Sequence, residues 1–168
     1  MTTATGCVPA DADSAFRAIT NLARLPRWNN AVTSVVDAPA ELVEGAEWVV
    51  ELHALAQTWH SRSTVVHLDT EARRFAYRSC TDDGNPSLVD WSWTVRDHPA
   101  GAEVTVTWEL HPVTFWRRAL FSHLRKRQLA RTEVPASLAA LSRFLEADLR
   151  VHDAAPSDTG SSASRHSG

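Results

Sequence analysis

The chain has 168 residues, of which 43% are hydrophobic, so it can bury one hydrophobic core and we expect a single domain. Its formal net charge of −3 is mild, and acidic residues are interspersed with the basic ones, which argues against a nucleic acid partner. No run of about 18 apolar residues is present, so we expect no stable insertion into a membrane.

The N-terminal part predicts one strand followed by two short helices. Thr3–Val8 alternates as a strand does, and the Pro9-Ala10-Asp11 sequence ends it. Asp11 is a suitable N-cap for a helix over Ala12–Ile19, whose apolar residues follow helical spacing. Asn21 could cap a second, shorter helix that ends near Leu25-Pro26, because the residue before a proline avoids the helical region.

Residues 32–110 predict six further strands, separated by turn-forming residues such as Glu44-Gly45. The predicted strands are Val32–Ala38, Ala46–Leu55, Trp59–Asp69, Arg74–Cys80, Leu88–Asp97 and Ala102–Leu110. A long helix over residues 113–148 follows, and Pro135 should kink or break it near Glu133-Val134. We place the folded domain at residues 1–149 and expect a disordered tail at residues 150–168, which lack periodic apolar positions.

The last hairpin specifies its own register. Both of its strands alternate apolar and polar residues, so pairing Asp97 with Ala102 sets every apolar residue opposite another. Trp91 then lies opposite Trp108, on the face toward the long helix. A slip by one residue would send one apolar set to the polar face, which favours this register.

The preceding hairpin places a group of polar residues on the inward face. The same reasoning predicts three cross-strand pairs, namely Leu68 with Phe75, Val66 with Tyr77 and Thr64 with Ser79. Continued alternation puts His60 and Arg62 on the same face as Tyr77 and Ser79. In the competing interpretation this face points outward and Arg62 is simply solvated.

The order of these elements resembles the polyketide cyclase/dehydrase branch of the START and birch-pollen-allergen superfamily. The resemblance spans roughly residues 3–148, and it includes Val8-Pro9-Ala10-Asp11 leading into Phe16 and the segment LARLPRWNN at 22–30. It implies an α+β helix-grip fold, in which a seven-stranded antiparallel sheet wraps around a long C-terminal helix and two short helices follow the first strand. Most members bind an apolar or aromatic molecule inside, but the family does not imply one reaction.

Seven tryptophans provide candidates for stacking on such a molecule. Trp91, Trp93 and Trp108 lie on the face that is partly core and partly cavity wall, and either role is open to them. Trp28 could plug one end of the cavity or act as its lid. We expect the other three, Trp48, Trp59 and Trp116, to fill the core.

The polar candidates offer hydrogen bonds to the ligand. Arg62 could hold a carboxylate or phenolate, whereas Tyr77 and His60 could donate or shuttle a proton. The long helix would contribute Leu120 and Leu124. The candidate ligand-binding residues are therefore Trp28, His60, Arg62, Tyr77, Ser79, Trp91, Trp93, Trp108, Leu120 and Leu124, and we assign no catalytic residue.

Metal and cofactor motifs are not found in the sequence. Cys7 and Cys80 are too few for a disulfide framework or a zinc site, so we expect free thiols. His53, His60 and His67 recur every seven residues, which in a strand alternates faces and spans about 23 Å. We expect no metal and no cofactor, and the oligomeric state is not indicated. The N-terminus lacks the pattern of a signal peptide, so we expect the cytoplasm.

Three classes of function remain open. The first is an enzyme that cyclises or dehydrates a polyketide-like substrate by acid/base chemistry, and the second is a non-catalytic carrier or sensor of a hydrophobic ligand. The third is an adaptor that binds a protein through the outer face of the sheet. It is disfavoured because outward residues such as Glu103 and Thr105 are typical of a solvated surface. An enzyme should place polar groups with shifted pKa values together in the cavity, whereas a carrier should have an almost wholly apolar wall.

Overall fold

Seven strands form one antiparallel sheet in the computed structural model, which describes residues 1–54, 57–82, 87–111 and 129–153. The strands are β1 (Thr2–Val8), β2 (Val32–Asp37), β3 (Glu47–Ala54), β4 (Gln57–Asp69), β5 (Arg74–Thr81), β6 (Leu88–His98) and β7 (Gly101–His111). Their order in the sheet is β1-β7-β6-β5-β4-β3-β2. The predicted fold class is confirmed, and the predicted strand ends differ from the observed ones by no more than two residues.

The first helix, α1 (Ala12–Thr20), begins where the sequence predicts. The backbone N–H of Ser14 donates to Asp11 Oδ1 over 2.8 Å, so Asp11 is the N-cap. Phe16 and Ile19 are buried on its inner side, as the helical spacing of the apolar residues requires.

The segment after α1 differs from the prediction. It forms a 3₁₀ turn over Leu22–Arg24 and then a short helix, α2 (Leu25–Trp28). The prediction that the helix ends near Leu25-Pro26 was wrong, because Pro26 lies in the first turn of α2. A proline there removes only an N–H that would have no helical partner.

The register of the last hairpin is confirmed at every predicted pair. Trp91 lies opposite Trp108, and their rings stack with centroids 6.0 Å apart. The ladder continues to His98 opposite Gly101, so the connecting turn is tight. Gly101 has φ +126°, and a Cβ at this position would lie 2.3 Å from the carbonyl oxygen of Val8, so only glycine fits.

A β-bulge in β4 changes which residues face inward. The pair Leu68 with Phe75 is confirmed, but the register then shifts between Val65 and His67. The predicted pairs of Val66 with Tyr77 and Thr64 with Ser79 are wrong: Tyr77 pairs with Val65, and Ser79 pairs with Ser63. Val66 is the extra residue and is 56% exposed. From the bulge back to the start of β4 the alternation is therefore reversed, which turns His60 and Arg62 outward.

The long C-terminal helix is irregular just before Pro135, where the sequence predicts a kink or break. A π-helical segment over Leu129–Glu133 precedes the α-helix α3 (Val134–Asp153), and Pro135 lies in the first turn of α3. The inner side of α3 buries residues such as Leu141, which is fully inaccessible to solvent. Within the described ranges, no helix combines the length and the hydropathy that a transmembrane span requires.

The end of α3 lies beyond the predicted end of the domain. The helix continues to Asp153, whereas we placed the domain boundary after residue 149. Residues 112–128 and 154–168 lie outside the described residues. The tail therefore stays a prediction, and so do the roles assigned to Trp116, Leu120 and Leu124.

Candidate functional site

A pocket of about 110 Å³ lies between the inward face of the sheet, the segment that contains α2, and the start of α3. Its described wall is mostly apolar and aromatic, and the aromatic members are Trp28, Trp48, Phe75, Tyr77, Trp91 and Trp93. Four serine hydroxyls interrupt this surface, those of Ser61, Ser63, Ser79 and Ser137. The site thus joins a stacking surface to a few hydrogen-bonding groups, which is the usual composition of a small-molecule pocket.

The aromatic residues on the sheet are in contact with one another. Trp48 meets Tyr77 edge-on with ring centroids 5.1 Å apart, and Tyr77 stacks on Trp91 at 6.2 Å with 19° between the ring planes. Trp91 in turn stacks on Trp108. These contacts fix the rings in place, because each ring is held by neighbours on the same face of the sheet. Trp108 is only 1% exposed and is not among the described lining residues, so the structure places it behind Trp91 in the core.

Trp28 lies at the helical side of the pocket. It is almost fully buried and packs edge-to-face against Trp93, with centroids 5.8 Å apart. Its indole Nε1 is buried and has no hydrogen-bond partner within the described part of the chain. Trp28 is therefore packed tightly enough to plug one end of the cavity, and it also forms part of the pocket wall.

Two other tryptophans that we expected to fill the core differ from each other. Trp48 is buried as predicted, but it also lines the pocket. Trp59 lies half-buried near the start of β4, outside the core cluster, so its assignment to the core was wrong. A core position requires apolar packing on every side, and the end of a strand is open to solvent on one side.

Tyr77 and Ser79 reach the pocket as predicted. Burial raises the pKa of Tyr77 to about 12, and an interaction with the Trp93 side chain opposes this in part. The phenol is therefore protonated at neutral pH and can donate a hydrogen bond. Ser79 acts mainly on its neighbour, since its Oγ accepts from Trp91 Nε1 over 3.1 Å and so orients that ring.

His60 and Arg62 do not reach the pocket. The Arg62 side chain is 40% exposed on the outer face, where its Nε lies 3.2 Å from Asp82 Oδ1 and its Nη1 lies 3.4 Å from Glu47 Oε2. His60 Nε2 lies 3.9 Å from Glu51 Oε2 on the same face. Their predicted inward placement was wrong because the bulge reverses the alternation of β4. The competing interpretation, in which this face of β4 points outward and Arg62 is exposed to solvent, agrees with the structure.

Sequence reasoning missed several polar residues of the wall. Ser61 and Ser63 occupy the inward positions that we had given to His60 and Arg62, and both are more than nine-tenths buried. In the sequence, the alternation of Ser61, Ser63 and Val65 could have identified these two serines. The bulge at Val66 turns all three side chains inward. Ser137 and Glu133 also line the pocket, but they lie on a helical stretch whose start is irregular, so helical spacing could not place them.

Comparisons with known proteins agree with this architecture. A family model described as "Polyketide cyclase / dehydrase and lipid transport" matches residues 2–146. No curated protein matches the chain.

Among solved structures, TTHA0849 from Thermus thermophilus is similar with a TM-score of 0.70 and 17% identity, over 88% of this chain and 97% of that one. Ara h 8.0201 is similar with a TM-score of 0.65 and 12% identity, over 87% and 97%. The di-domain ARO/CYC protein BexL of the BE-7585A biosynthetic pathway gives a TM-score of 0.66 at 21% identity, over 87% of this chain and 47% of BexL. At these identities the likeness establishes the fold alone.

Proposed function

The chain belongs to the polyketide cyclase/dehydrase and lipid transport family, and from this premise we propose that it binds a small apolar or aromatic molecule in the pocket between the sheet and α3. The observation that carries the proposal is the set of contacting rings along the pocket wall, in which Tyr77 and Trp91 are nearly parallel. Rings held in this way offer flat apolar faces to a flat ligand and lose little entropy when it binds.

The size of the pocket limits how the ligand enters. An engineered apolar cavity of about 150 Å³ holds benzene, and pockets for larger ligands span roughly 300–1,000 Å³. The 110 Å³ of this pocket therefore requires a wall to move before a molecule of two or more rings can fit. The sheet wall is held by backbone pairing along β4, β5 and β6, which the bulge at Val66 interrupts at one position. We infer that the segment Leu22–Trp28, which is a 3₁₀ turn and one turn of helix, is the wall that moves.

The test is a titration with aromatic compounds of two and three rings, followed by tryptophan fluorescence. A ligand that stacks beside Trp91 should change the emission saturably. Tyr77→Ala removes one of the contacting rings and should weaken binding roughly tenfold, which corresponds to about 1.4 kcal/mol. Arg62→Ala is the matched control, because Arg62 lies on the outer face of the adjacent strand and should leave the affinity unchanged. An unsaturable response to every compound would refute ligand binding.

Acid/base catalysis on a bound polyketide-like ring is the second candidate function. Glu133 favours it, because this residue supplies a carboxylate to the described pocket wall and a carboxylate can accept a proton from a substrate. Incubation with a ligand found in the titration, followed by mass spectrometry, separates the two functions. A carrier or sensor returns the compound unchanged, whereas an enzyme converts it and Glu133→Gln abolishes the conversion.

We also propose a cytoplasmic location. Cys7 and Cys80 are both free thiols, and Cys7 is exposed, which suits a reducing compartment. Fractionation of cells that produce the protein, with detection by antibody, tests this location.

A further inference from the structure

Two hydroxyl groups in the pocket have no hydrogen-bond partner among the residues that the structure describes. Ser63 on β4 and Ser137 on α3 both line the pocket and are 3% and 7% exposed. Within the described ranges no hydrogen bond engages either side chain, whereas the neighbouring Ser61 donates to the carbonyl oxygen of Cys80 over 3.1 Å. A buried hydroxyl without a partner is unfavourable, so a ligand or water that supplies the partner stabilises it.

The chemistry of the two hydroxyls limits the partner. A serine hydroxyl can donate one hydrogen bond and can also accept, so an oxygen atom of a ligand satisfies it. The Nε1 atoms of Trp28 and Trp108 also lack a partner among the described residues, but both are almost inaccessible and do not bear on the ligand.

The two hydroxyls are neutral, so they favour a neutral oxygen atom. Arg62, the cation that we had expected in the pocket, is paired with acids on the other side of the sheet. An anionic group held by Ser63 and Ser137 alone would lack a cation to offset the loss of its hydration.

We propose that Ser63 and Ser137 form a hydrogen-bonding subsite for an uncharged oxygen of a flat ligand, such as a ketone or a phenol. The inference rests on the proposed function, since it concerns the same pocket. The two serines project from the sheet and from the helix, so they bind oxygen atoms of the ligand from different walls.

Three probes with the same ring system test the subsite, namely naphthalene, 1-naphthol and 1-naphthoate. Their affinities for the 168-residue protein are measured by equilibrium dialysis. We expect the affinity for 1-naphthol to be at least about fivefold higher than that for naphthalene. One net hydrogen bond between neutral groups would produce a difference of this size. We expect 1-naphthoate to bind less tightly than 1-naphthol, because the two serines supply no positive charge.

Variants then assign the preference to the serines. Ser63→Ala and Ser137→Ala should each reduce the ratio of the naphthol and naphthalene affinities, and the double variant should bring it near one without weakening naphthalene. Ser63→Thr keeps a hydroxyl and should retain the preference. Ser92→Ala is the matched control, because Ser92 is exposed on β6 and should change neither affinity. Melting curves verify that each variant is folded.

The outcomes separate this inference from the proposed function. If naphthalene and 1-naphthol bind the unaltered protein equally well, the subsite is refuted while binding of flat molecules stands. A preference that survives in the double variant, or tightest binding of 1-naphthoate, also overturns the subsite. If none of the three probes binds, both proposals fail.

Discussion

Tyr77 is the single tyrosine of the chain, so its ionisation can be observed without interference from another phenol. Burial raises its pKa from the ordinary 10.0 to about 12. We predict that the ultraviolet absorbance of tyrosinate in the folded protein rises with a midpoint near pH 12, and that it moves to near pH 10 when the protein is unfolded by urea. A midpoint near 10 in the folded protein would show that the phenol is solvated.

The same shift makes stability depend on pH. Between pH 10 and 12 the unfolded chain has lost the phenolic proton while the folded protein still holds it, so the free energy of unfolding falls as the pH rises through this window. Below pH 10 this contribution is fully present. Tyr77→Phe cannot ionise, and its melting temperature should therefore decline less steeply across the window than that of the unaltered protein.

Ser79 is predicted to act through Trp91. Replacing Ser79 with alanine leaves the indole N–H of Trp91 without its acceptor, and the free energy of unfolding should fall by about 1 kcal/mol. Urea denaturation measures this loss. Ser92→Ala, on the exposed side of β6, should have a much smaller effect. Equal losses in the two variants would contradict the orienting role of Ser79.

At the scale of the element, β4 shows why the fold could be predicted and the site could not. In β6 and β7 four apolar pairs agree on one register, so a slip would expose all of them. In β4 the adjacent valines Val65 and Val66 are equally apolar, and residues 60–64 carry no apolar residue to decide which face is inward. An extra residue in a strand leaves no mark in composition, yet it reverses every position before it.

The cap of α1 gives a prediction at low pH. The backbone hydrogen bond from Ser14 lowers the pKa of Asp11, so the carboxylate stabilises the folded state above the ordinary pKa of 3.8. This contribution is lost as the pH falls through the lower pKa of the folded state. Asp11→Ala should cost about 1 kcal/mol at neutral pH. Asp11→Asn can still cap the helix but does not titrate, so its stability should depend less on pH below about 4.

Chemical denaturation at a series of pH values distinguishes these two variants. If Asp11→Asn loses as much stability as Asp11→Ala at neutral pH, the contribution comes from the charge of the carboxylate and not from its hydrogen bond.

The segment Leu22–Trp28 is held to α3 by contacts on its outer side. Arg24 Nη1 lies 3.2 Å from Asp148 Oδ2, and the guanidinium groups of Arg24 and Arg27 each lie 5.5 Å from the ring centroid of Phe144. Exposed pairs of this kind contribute little stability, about 0–1 kcal/mol each. They can therefore hold the segment closed and still allow it to open.

We predict that the double variant Arg24→Gln, Arg27→Gln opens the pocket faster. Amide hydrogen exchange of residues 22–28 should accelerate, and bound 1-naphthol should dissociate more rapidly, while the melting temperature changes little. Arg150→Gln is the control, because Arg150 pairs with Glu146 on the exposed side of α3, away from the segment. Unchanged exchange at residues 22–28 would show that these contacts do not hold the wall.

For the molecule as a whole, the sequence predicts that the C-terminal tail is dispensable. Residues 154–168 contain no periodic apolar positions that could pack on the domain. Truncation after Asp153, where α3 ends, should change the free energy of unfolding by no more than about 0.5 kcal/mol. A clear fall in the melting temperature of the truncated protein would show that the tail docks.

The order of the strands has a consequence for synthesis on the ribosome. Among the described strands, β2 to β7 pair with their neighbours in sequence, but β1 pairs only with β7, and Thr3 contacts Thr107 across 104 residues of chain. At translation rates of about 5–20 residues per second, the first strand made waits roughly 5–20 seconds for its partner. During that time the backbone N–H and C=O groups of β1 have no partner strand and can pair with another chain, so shielding of β1 by a chaperone should improve the yield of folded protein.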